Sequence, residues 1–233
     1  MKLDILAFGA HPDDVELGCG GTLIKEIQNG KKVGVIDLTR GELGTRGSIA
    51  IRDKETKEAS EIMSLDIREN MNFKDGFFKD DESHKFDLIK KIRKYKPDIV
   101  VTNALSDRHP DHARSSNITV DASFLSGLEK IDTNQEVWRP KFIYHYIQFN
   151  NLTPDFVIDI SSQMDLKIKA VKAYSSQFYN PSSKESKTII SSKEFLESVK
   201  YRAQDFGRLS NCKYAEGFIS HQLPKIHSLF DYK

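Results

Sequence analysis

The sequence predicts an α/β protein in which helices cover both faces of a mostly parallel sheet. Short, continuously apolar runs recur along the chain, as is typical of strands that are buried on both faces. Amphipathic stretches with helical spacing separate these runs, and this alternation favours a Rossmann-like architecture. The 233 residues contain no internal repeat or low-complexity tract, so we expect a single domain over residues 1–233.

Each predicted element follows from its local pattern. Gly9 ends the first apolar run, and Pro97 separates an amphipathic helix from the apolar sequence DIVVT. Ser191 and Glu194 form a capping box that predicts the start of a late helix, and the polar stretch 180–192 is predicted as a loop. The predicted strands cover residues 5–8, 33–38, 98–102, 142–149 and 156–160, and the predicted helices cover about 20–28, 51–64, 84–95 and 112–125.

The composition argues against several functional classes. The 35 basic side chains are balanced by 34 acidic ones, which argues against a nucleic-acid or membrane-surface partner. No apolar run approaches the roughly 20 residues of a membrane span. The 2 cysteines, Cys19 and Cys212, exclude a disulfide framework, so we expect a cytoplasmic protein.

Two related tetrapeptides stand where a predicted strand gives way to a helix: HPDD at residues 11–14 and HPDH at residues 109–112. Ligands of open α/β sheets bind beyond the carboxyl ends of the strands, which is where both motifs lie. Helix capping explains Pro and Asp at these places, but it does not explain why His precedes Pro twice. Two imidazoles and one carboxylate are a common catalytic zinc set, and the remaining groups suit proton transfer in metal-assisted hydrolysis.

Two other features of the same edge are less specific. The glycines of GCGG, residues 18–21, lack the Gly or Ala that a dinucleotide-binding fingerprint needs at position 23, so we expect them to allow close packing of a helix on the sheet. The loop 37–47 carries arginines, and Arg52 follows it. A guanidinium binds a carboxylate through two hydrogen bonds, so this loop is a candidate for holding an anionic group of a substrate.

The motifs AFGAHPDDVELGCGGTL and HPDH, within the alternating α/β pattern, resemble the PIG-L/LmbE-like family of zinc-dependent N-acetylglucosamine deacetylases. The segment DLTRGELGTRGS narrows the resemblance to the branch that deacetylates N-acetylglucosaminyl malate in bacillithiol biosynthesis. The resemblance implies one zinc ion per subunit, with ferrous iron as the alternative. It also implies a small acetamido-sugar substrate and a homo-oligomer, either a trimer or a hexamer.

The resemblance also implies which residues carry out the chemistry. The zinc ligands that it implies are His11, Asp14 and His112. Asp13 would be the general base that takes a proton from water. His109 would act as an imidazolium that stabilises the tetrahedral oxyanion and helps to protonate the leaving amine, and Asp111 would orient it. The products would be acetate and a free sugar amine.

The residues that would contact the rest of the substrate are implied in the same way. Arg52 and Arg108 match positions linked to the anionic end of the substrate, and Asp75 matches a position that can hold sugar hydroxyls. The metal site would contact only the acetamide, so it does not choose between aglycones. Two alternatives therefore stay open: a deacetylase or amidase of another N-acetylglucosamine conjugate, with inositol or a thiol, and a non-catalytic metal- or sugar-binding module.

Overall fold

The computed structural model describes residues 1–228 and residue 230 and confirms the α/β class. The strands among these residues are β1 (Ile5–Gly9), β2 (Val33–Thr39), β3 (Ile67–Phe73), β4 (Ile99–Thr102), β5 (Phe142–Tyr146), β6 (Phe156–Asp159) and β7 (Ala215–Ser220). The helices are α1 (Asp14–Gln28), α2 (Ile49–Met63), α3 (Glu82–Tyr95), α4 (Pro110–Leu125), α5 (Met164–Ala173) and α6 (Lys193–Leu209). None of the helices in the described part of the chain is long and apolar enough to cross a membrane.

The strands form one sheet in the order β3-β2-β1-β4-β5-β7-β6. Neighbours from β3 to β5 pair in parallel, whereas β7 is antiparallel to both β5 and β6. The chain progresses outward from β1 to β3 on one side and from β4 to β5 on the other. The crevice where this order reverses therefore lies between β1 and β4, and ligands of open α/β sheets bind there.

Side chains of β1 alternate between two apolar layers. Leu6 and Phe8 pack with residues of α3 and α4, including Leu88 and Ile118, on one face of the sheet. Ile5 and Ala7 pack on the opposite face with residues of α1 and α2, which include Val15, Leu23 and Met63. Burial on both faces explains why this strand is continuously apolar in the sequence and was predicted without ambiguity.

Three elements escaped prediction. β3 is an edge strand with half-buried polar positions, and β7 contains a buried glutamate and a glycine, so neither has the apolar pattern of a central strand. The third is α5, a ten-residue helix in which lysines interrupt the apolar spacing. The sequence therefore predicted the centre of the sheet well and its margins poorly.

Three predicted boundaries were wrong. α1 begins at Asp14 instead of near residue 20. Cys19 has non-helical dihedral angles and divides this helix into two segments, and the predicted helix corresponds to the second. The N-cap of α6 is Ser192, whose side chain accepts the N–H of Phe195, so the capping box predicted at Ser191 is displaced by one residue. β5 ends at Tyr146, three residues before the predicted end.

Candidate active site

The turn after β1 presents two neighbouring carboxylates in different ways. Asp13 is the N-cap of α1 and has a φ of 113°, a strained conformation for a non-glycine residue that costs about 1–3 kcal/mol. Asp14 begins the helix, and its Oδ2 accepts the backbone N–H of His11 at 2.9 Å. The backbone N–H of Ala10 donates to Oδ1 of Asn103 at 3.0 Å, which ties this turn to the end of β4.

The turn after β4 leads into α4. His109 is the N-cap, and its Nδ1 accepts the backbone N–H of Asp111 at 3.2 Å. Pro110 occupies the start of the helix, where its missing N–H has no cost. Capping thus accounts for His109 and Pro110, whereas His112 points from the first turn of α4 towards Asp14.

His11, Asp14 and His112 meet at the crevice between the two turns. Oδ1 of Asp14 lies 3.2 Å from Nε2 of His112, and Oδ2 lies 3.5 Å from Nδ1 of His11. A tetrahedral zinc site with bonds of about 2.0–2.2 Å places its ligand atoms about 3.3–3.5 Å apart. The Asp14 carboxylate therefore lies close to both imidazoles, through a different oxygen atom for each.

Each of the two imidazoles is also backed by a carboxylate on its far side. Nδ1 of His112 lies 2.9 Å from Oδ2 of Asp107. Nε2 of His11 lies 3.1 Å from Oδ1 of Asp75 and 3.4 Å from Oδ2 of Asp111. In proteins, a histidine that binds a metal commonly donates its second ring N–H to a carboxylate, which fixes the tautomer. The lone pairs of Nδ1 in His11 and Nε2 in His112 are then directed at Asp14.

The charged groups around His11, Asp14 and His112 favour positive charge among them. Burial pushes the pKa of His112 down, but Asp14 and Asp107 outweigh it and raise the pKa to about 9. The pKa of His11 is likewise raised well above its usual value, against burial, by Asp111, Asp14 and Asp75. For Asp14, burial is outweighed by His112 and His11, so its pKa is well below the usual range. The carboxylates around the two rings thus favour positive charge at this position.

Two further imidazole and carboxylate groups widen the choice of ligands. Nitrogen atoms of His11, His109 and His112 lie within 4.8 Å of one another, and so do ligand atoms of His11, Asp75 and Asp111. The second group already has partners, because Asp111 accepts the N–H of Gly76 at 2.8 Å and Asp75 accepts the N–H of Leu43 at 2.9 Å. Both groups share His11, and neither includes Asp14.

Asp13 lies beside the three predicted ligands and is held by an arginine. Nη2 of Arg52 donates to Oδ2 of Asp13 at 2.8 Å and to the carbonyl of Pro12 at 2.6 Å. Burial is the largest influence on Asp13 and, against the opposing effect of Arg52, raises the pKa to about 7. A carboxylate with that pKa is suited to accept and return a proton near neutrality. Arg52, which was predicted to contact an anionic substrate, pairs here with the carboxylate of Asp13.

Two contacts of the second turn bear on the predicted roles of Asp111 and His109. The carboxylate of Asp111 bonds to Gly76, Arg114 and His11, and what holds His109 is the backbone N–H of Asp111. Nδ1 of His109 accepts that N–H, and this arrangement leaves Nε2 to carry the ring proton. Burial, followed by the nearby His11 and His112, lowers the pKa of His109. The His109 imidazole therefore remains a donor through Nε2–H.

A cavity of about 430 Å³ opens over the cluster. Arg108 lies at its edge, with its guanidinium 5.0 Å from the ring centroid of Phe149. Asp75 lines the cavity, and its carboxylate lies 3.1 Å from Nε2 of His11 and accepts the N–H of Leu43. Other residues that line the cavity include Leu17, Leu43, Arg46, Gln148, Gln177 and Phe195.

The loop 180–192, predicted as a loop and without helix or strand, forms one wall of this cavity. Thr188, Ile189 and Ile190 line it. The loop is anchored to the segment after β2, where Arg46 donates to Ser183 at 2.8 Å and the N–H of Gly47 donates to Glu185 at 2.9 Å. Polar residues of this loop therefore attach it to the segment that follows β2.

Close packing explains the glycine cluster in α1. A Cβ at Gly18 would lie 2.1 Å from the ring of Tyr146, and a Cβ at Gly21 would lie 2.7 Å from Ile160. Any larger residue would separate the helix from the sheet. The predicted packing role is therefore confirmed.

Sequence reasoning missed Asn103, Asp107 and Gln148. Nδ2 of Asn103 and Nε2 of Gln148 donate to Asp14 at 3.2 and 2.7 Å, so both help to place this carboxylate. Asn103 and Asp107 lie between DIVVT and HPDH, and their position at the end of a strand was an available signal. Gln148 follows a different strand, and only the fold brings it to the site.

Comparison with known proteins agrees with this geometry. Residues 6–123 match the family PIG-L, GlcNAc-PI de-N-acetylase. The chain belongs to the PIG-L family. It is therefore a deacetylase, a hydrolase that acts on an amide bond, as its matched relatives are. The matched part ends in α4 and contains both tetrapeptides.

Relatives of the PIG-L chain include proteins with different named substrates. This chain is 27% identical over 232 residues to a diacetylchitobiose deacetylase of Thermococcus kodakarensis, and the match covers 91% of this chain and 81% of that protein. It is 27% identical over 192 residues to a probable N-acetyl-alpha-D-glucosaminyl L-malate deacetylase 2 of Bacillus anthracis, covering 75% and 81%. The conserved protein TT1542 of Thermus thermophilus is similar in structure, with a TM-score of 0.89, 35% identity and coverage of 97% and 98%.

Proposed function

We propose that this protein removes the acetyl group from an N-acetylglucosamine conjugate with an anionic aglycone, N-acetylglucosaminyl malate, in bacillithiol biosynthesis. The observation that supports the proposal is the pair of short distances from the Asp14 carboxylate to the imidazoles of His11 and His112, at the base of a cavity that Asp13 also lines. Binding alone would not need Asp13 and His109 next to the three ligands, which argues against a non-catalytic module.

His11, Asp14 and His112 would hold one zinc ion per subunit, and ferrous iron would accept the same ligands. Such an ion, when bound, polarises the acetamide carbonyl and makes a neighbouring water easier to deprotonate. Asp75, Asp107 and Asp111 would fix the two imidazoles, since their carboxylates lie 2.9–3.4 Å from the ring nitrogens that face away from Asp14.

Asp13 would act as the general base and then as the acid. It takes a proton from the water that attacks the acetyl carbon, and it returns that proton to the nitrogen as the carbon–nitrogen bond breaks. Arg52 would keep the Asp13 carboxylate oriented through its 2.8 Å hydrogen bond. His109 would donate Nε2–H to the carbonyl oxygen as negative charge develops on it. The products are acetate and a sugar amine.

Arg108 is the arginine best placed to bind an anionic aglycone. Within residues 1–228 and 230, Arg52 is paired with Asp13 and Arg46 lies 3.6 Å from Glu185, whereas Arg108 has no ion pair and stacks on Phe149 at the rim. A guanidinium there can bind a carboxylate of malate through two hydrogen bonds.

A substrate panel tests the proposal. Zinc-loaded protein would be assayed for acetate release from N-acetylglucosaminyl malate, its inositol counterpart, N-acetylglucosamine and diacetylchitobiose. We expect the highest kcat/KM for the malate compound, and Arg108→Ala should lower that value selectively by about 10-fold or more, since charged hydrogen bonds contribute about 1.5–3 kcal/mol. Equal losses on all four compounds, or a preference for diacetylchitobiose, would contradict the anionic aglycone.

We further propose that residues 1–233 act as one domain, that the chain assembles into a trimer or a hexamer, and that it works in the cytoplasm. The unpaired Cys19 and Cys212 are compatible with a reducing compartment. Sedimentation velocity tests the assembly, and a monomer at micromolar concentration would contradict it.

A further inference from the structure

A buried ion pair is inserted into the backbone of α1. In an unbroken α-helix the N–H of Gly21 donates to the carbonyl of Leu17. Here the N–H of Gly21 donates to Oε1 of Glu216 at 3.0 Å, and the carbonyl of Leu17 accepts from Nζ of Lys167 at 2.9 Å. Lys167 and Glu216 are themselves paired. The break lies at Cys19, whose φ of −142° and ψ of 17° are not helical.

Stability alone is a poor explanation for this pair. Lys167 and Glu216 are 2% and 3% exposed, and removing two charges from water to this degree costs several kcal/mol per ion. Glu216 also accepts the N–H of Thr22 at 2.6 Å, so it caps the second part of α1. The pair therefore ends one helical segment and begins the next, which an apolar pair of the same size would not do.

The break allows the two segments of α1 to satisfy different contacts. The first segment begins at Asp14 and packs Gly18 against the ring of Tyr146 in β5. The second packs Gly21 against Ile160, which follows β6. In a straight helix, the axes of the two segments would point in the same direction. A change in the break would therefore rotate the turn that carries the reactive carboxylates, Asp13 and Asp14.

We propose that the Lys167–Glu216 pair positions the active-site carboxylates, and this inference rests on the proposed function. Lys167 belongs to α5 and Glu216 to β7, so the pair fixes α1 relative to two elements outside the family match at residues 6–123. Neither side chain lines the cavity over the site, and both act through the backbone of α1. They are positioning residues, not catalytic ones.

The experiment compares two sets of variants of the full chain. Lys167→Met/Glu216→Leu removes both charges, so neither partner is left buried and unpaired. Arg93→Met is the matched control, because Arg93 is a buried cation on α3 that donates to the carbonyl of Ser126 at 2.9 Å, on the opposite face of the sheet. Each protein is titrated with Co²⁺ alone, whose visible absorption reports ligand geometry, and kcat and KM for acetate release are measured separately.

We expect the double variant to bind Co²⁺ about 10–100-fold more weakly, the range found when groups that orient metal ligands are lost, with an altered spectrum. Its kcat should fall while KM stays near the wild-type value, and Arg93→Met should match the wild type per folded molecule. Wild-type affinity, spectrum and kcat in the double variant would overturn the proposal. So would equal losses in Arg93→Met, since the effect would then be general destabilisation.

A second variant keeps the test decisive if the double variant does not fold, which circular dichroism will show. Lys167→Arg retains the charge and the donors, but its wider guanidinium displaces Glu216 from Gly21. We expect about a 10-fold weaker affinity for Co²⁺, at the low end of the same range, and an unchanged affinity would overturn the proposal. If the wild type binds Co²⁺ but releases no acetate from any acetamido sugar, the proposed function fails, and the Co²⁺ comparison still decides whether the pair positions the site.

Discussion

The two His-Pro-Asp turns of this protein share three residues and use them in opposite ways. In the first turn His11 lies 3.5 Å from the Asp14 carboxylate, and Asp13, the proposed base, lines the cavity. In the second turn His109 caps a helix, and the carboxylate of Asp111 lies 3.4 Å from the ring of His11. Under the proposed function, the same tripeptide would supply a ligand and a base on one side, and a hydrogen-bond donor and a support for a ligand on the other.

The difference comes from the residue at which each helix begins. The N-cap of α1 is Asp13, the third residue of its turn, in a left-handed conformation. The N-cap of α4 is His109, the first residue of its turn, in an extended conformation. This shift of two residues decides which side chains point into the crevice, so the roles are assigned by helix register and not by the motif itself.

The largest expected effect separates the two carboxylates of the first turn. Asp13→Asn should lower kcat by about 10²–10⁴-fold, the usual contribution of general acid–base catalysis, while zinc stays bound. Asp14→Asn should lose the zinc. Acetate release and metal analysis on the same preparations test both statements. If Asp13→Asn loses its zinc, or Asp14→Asn keeps it, the two roles are interchanged.

The next effect concerns the capping histidine of the second turn. His109→Ala should lower kcat by about 10²–10³-fold, the cost of removing one oxyanion donor, with little loss of zinc. Metal analysis is decisive here, because a nitrogen of His109 lies within 4.8 Å of nitrogens in His11 and His112. Loss of zinc in this variant would make His109 a ligand and contradict the comparison of the two turns.

A smaller effect is expected for a residue outside both motifs. Asp107→Ala should weaken zinc binding by about 10–100-fold, because His112 loses the carboxylate that fixes its tautomer. Competition with a chromophoric chelator measures the change. Asp121→Ala, a change at an exposed partner of Lys85, is the control and should leave zinc affinity unaltered.

The smallest effect is a shift in pH dependence. The pKa of Asp13 is raised to about 7, chiefly by burial, and the base must be ionised to act. Activity should therefore fall as the pH decreases through this pKa, which a bound cation would place at or below 7, by about 10-fold per pH unit. Arg52 lowers this pKa, so Arg52→Met should move the decline to higher pH. An unmoved profile with a raised KM would instead assign Arg52 to the substrate.

Much of this site was predictable from the sequence because its ligands lie at strand ends within short motifs. Buried parallel strands such as β1 and β4 are continuously apolar, so the positions of HPDD and HPDH at the sheet edge followed directly. Gln148 was not predictable. It lies just after β5, which is a third strand, and it is 134 residues away from Asp14 in the sequence.

Other features depend on backbone geometry that residue types do not encode. The positive φ of Asp13 and the break at Cys19 are examples, because no local pattern around either residue predicts them. The roles of Asp111 and Arg52 were predicted from positions alone. The structure shows that their neighbours in space, His11 and Asp13, are internal partners.

The most direct test of the account is an anomalous-scattering map of crystals of the zinc-loaded protein. The account predicts one peak per subunit, at bonding distance from Nδ1 of His11, a carboxylate oxygen of Asp14 and Nε2 of His112. A peak on the opposite side of the His11 ring, between Asp75 and Asp111, would contradict it.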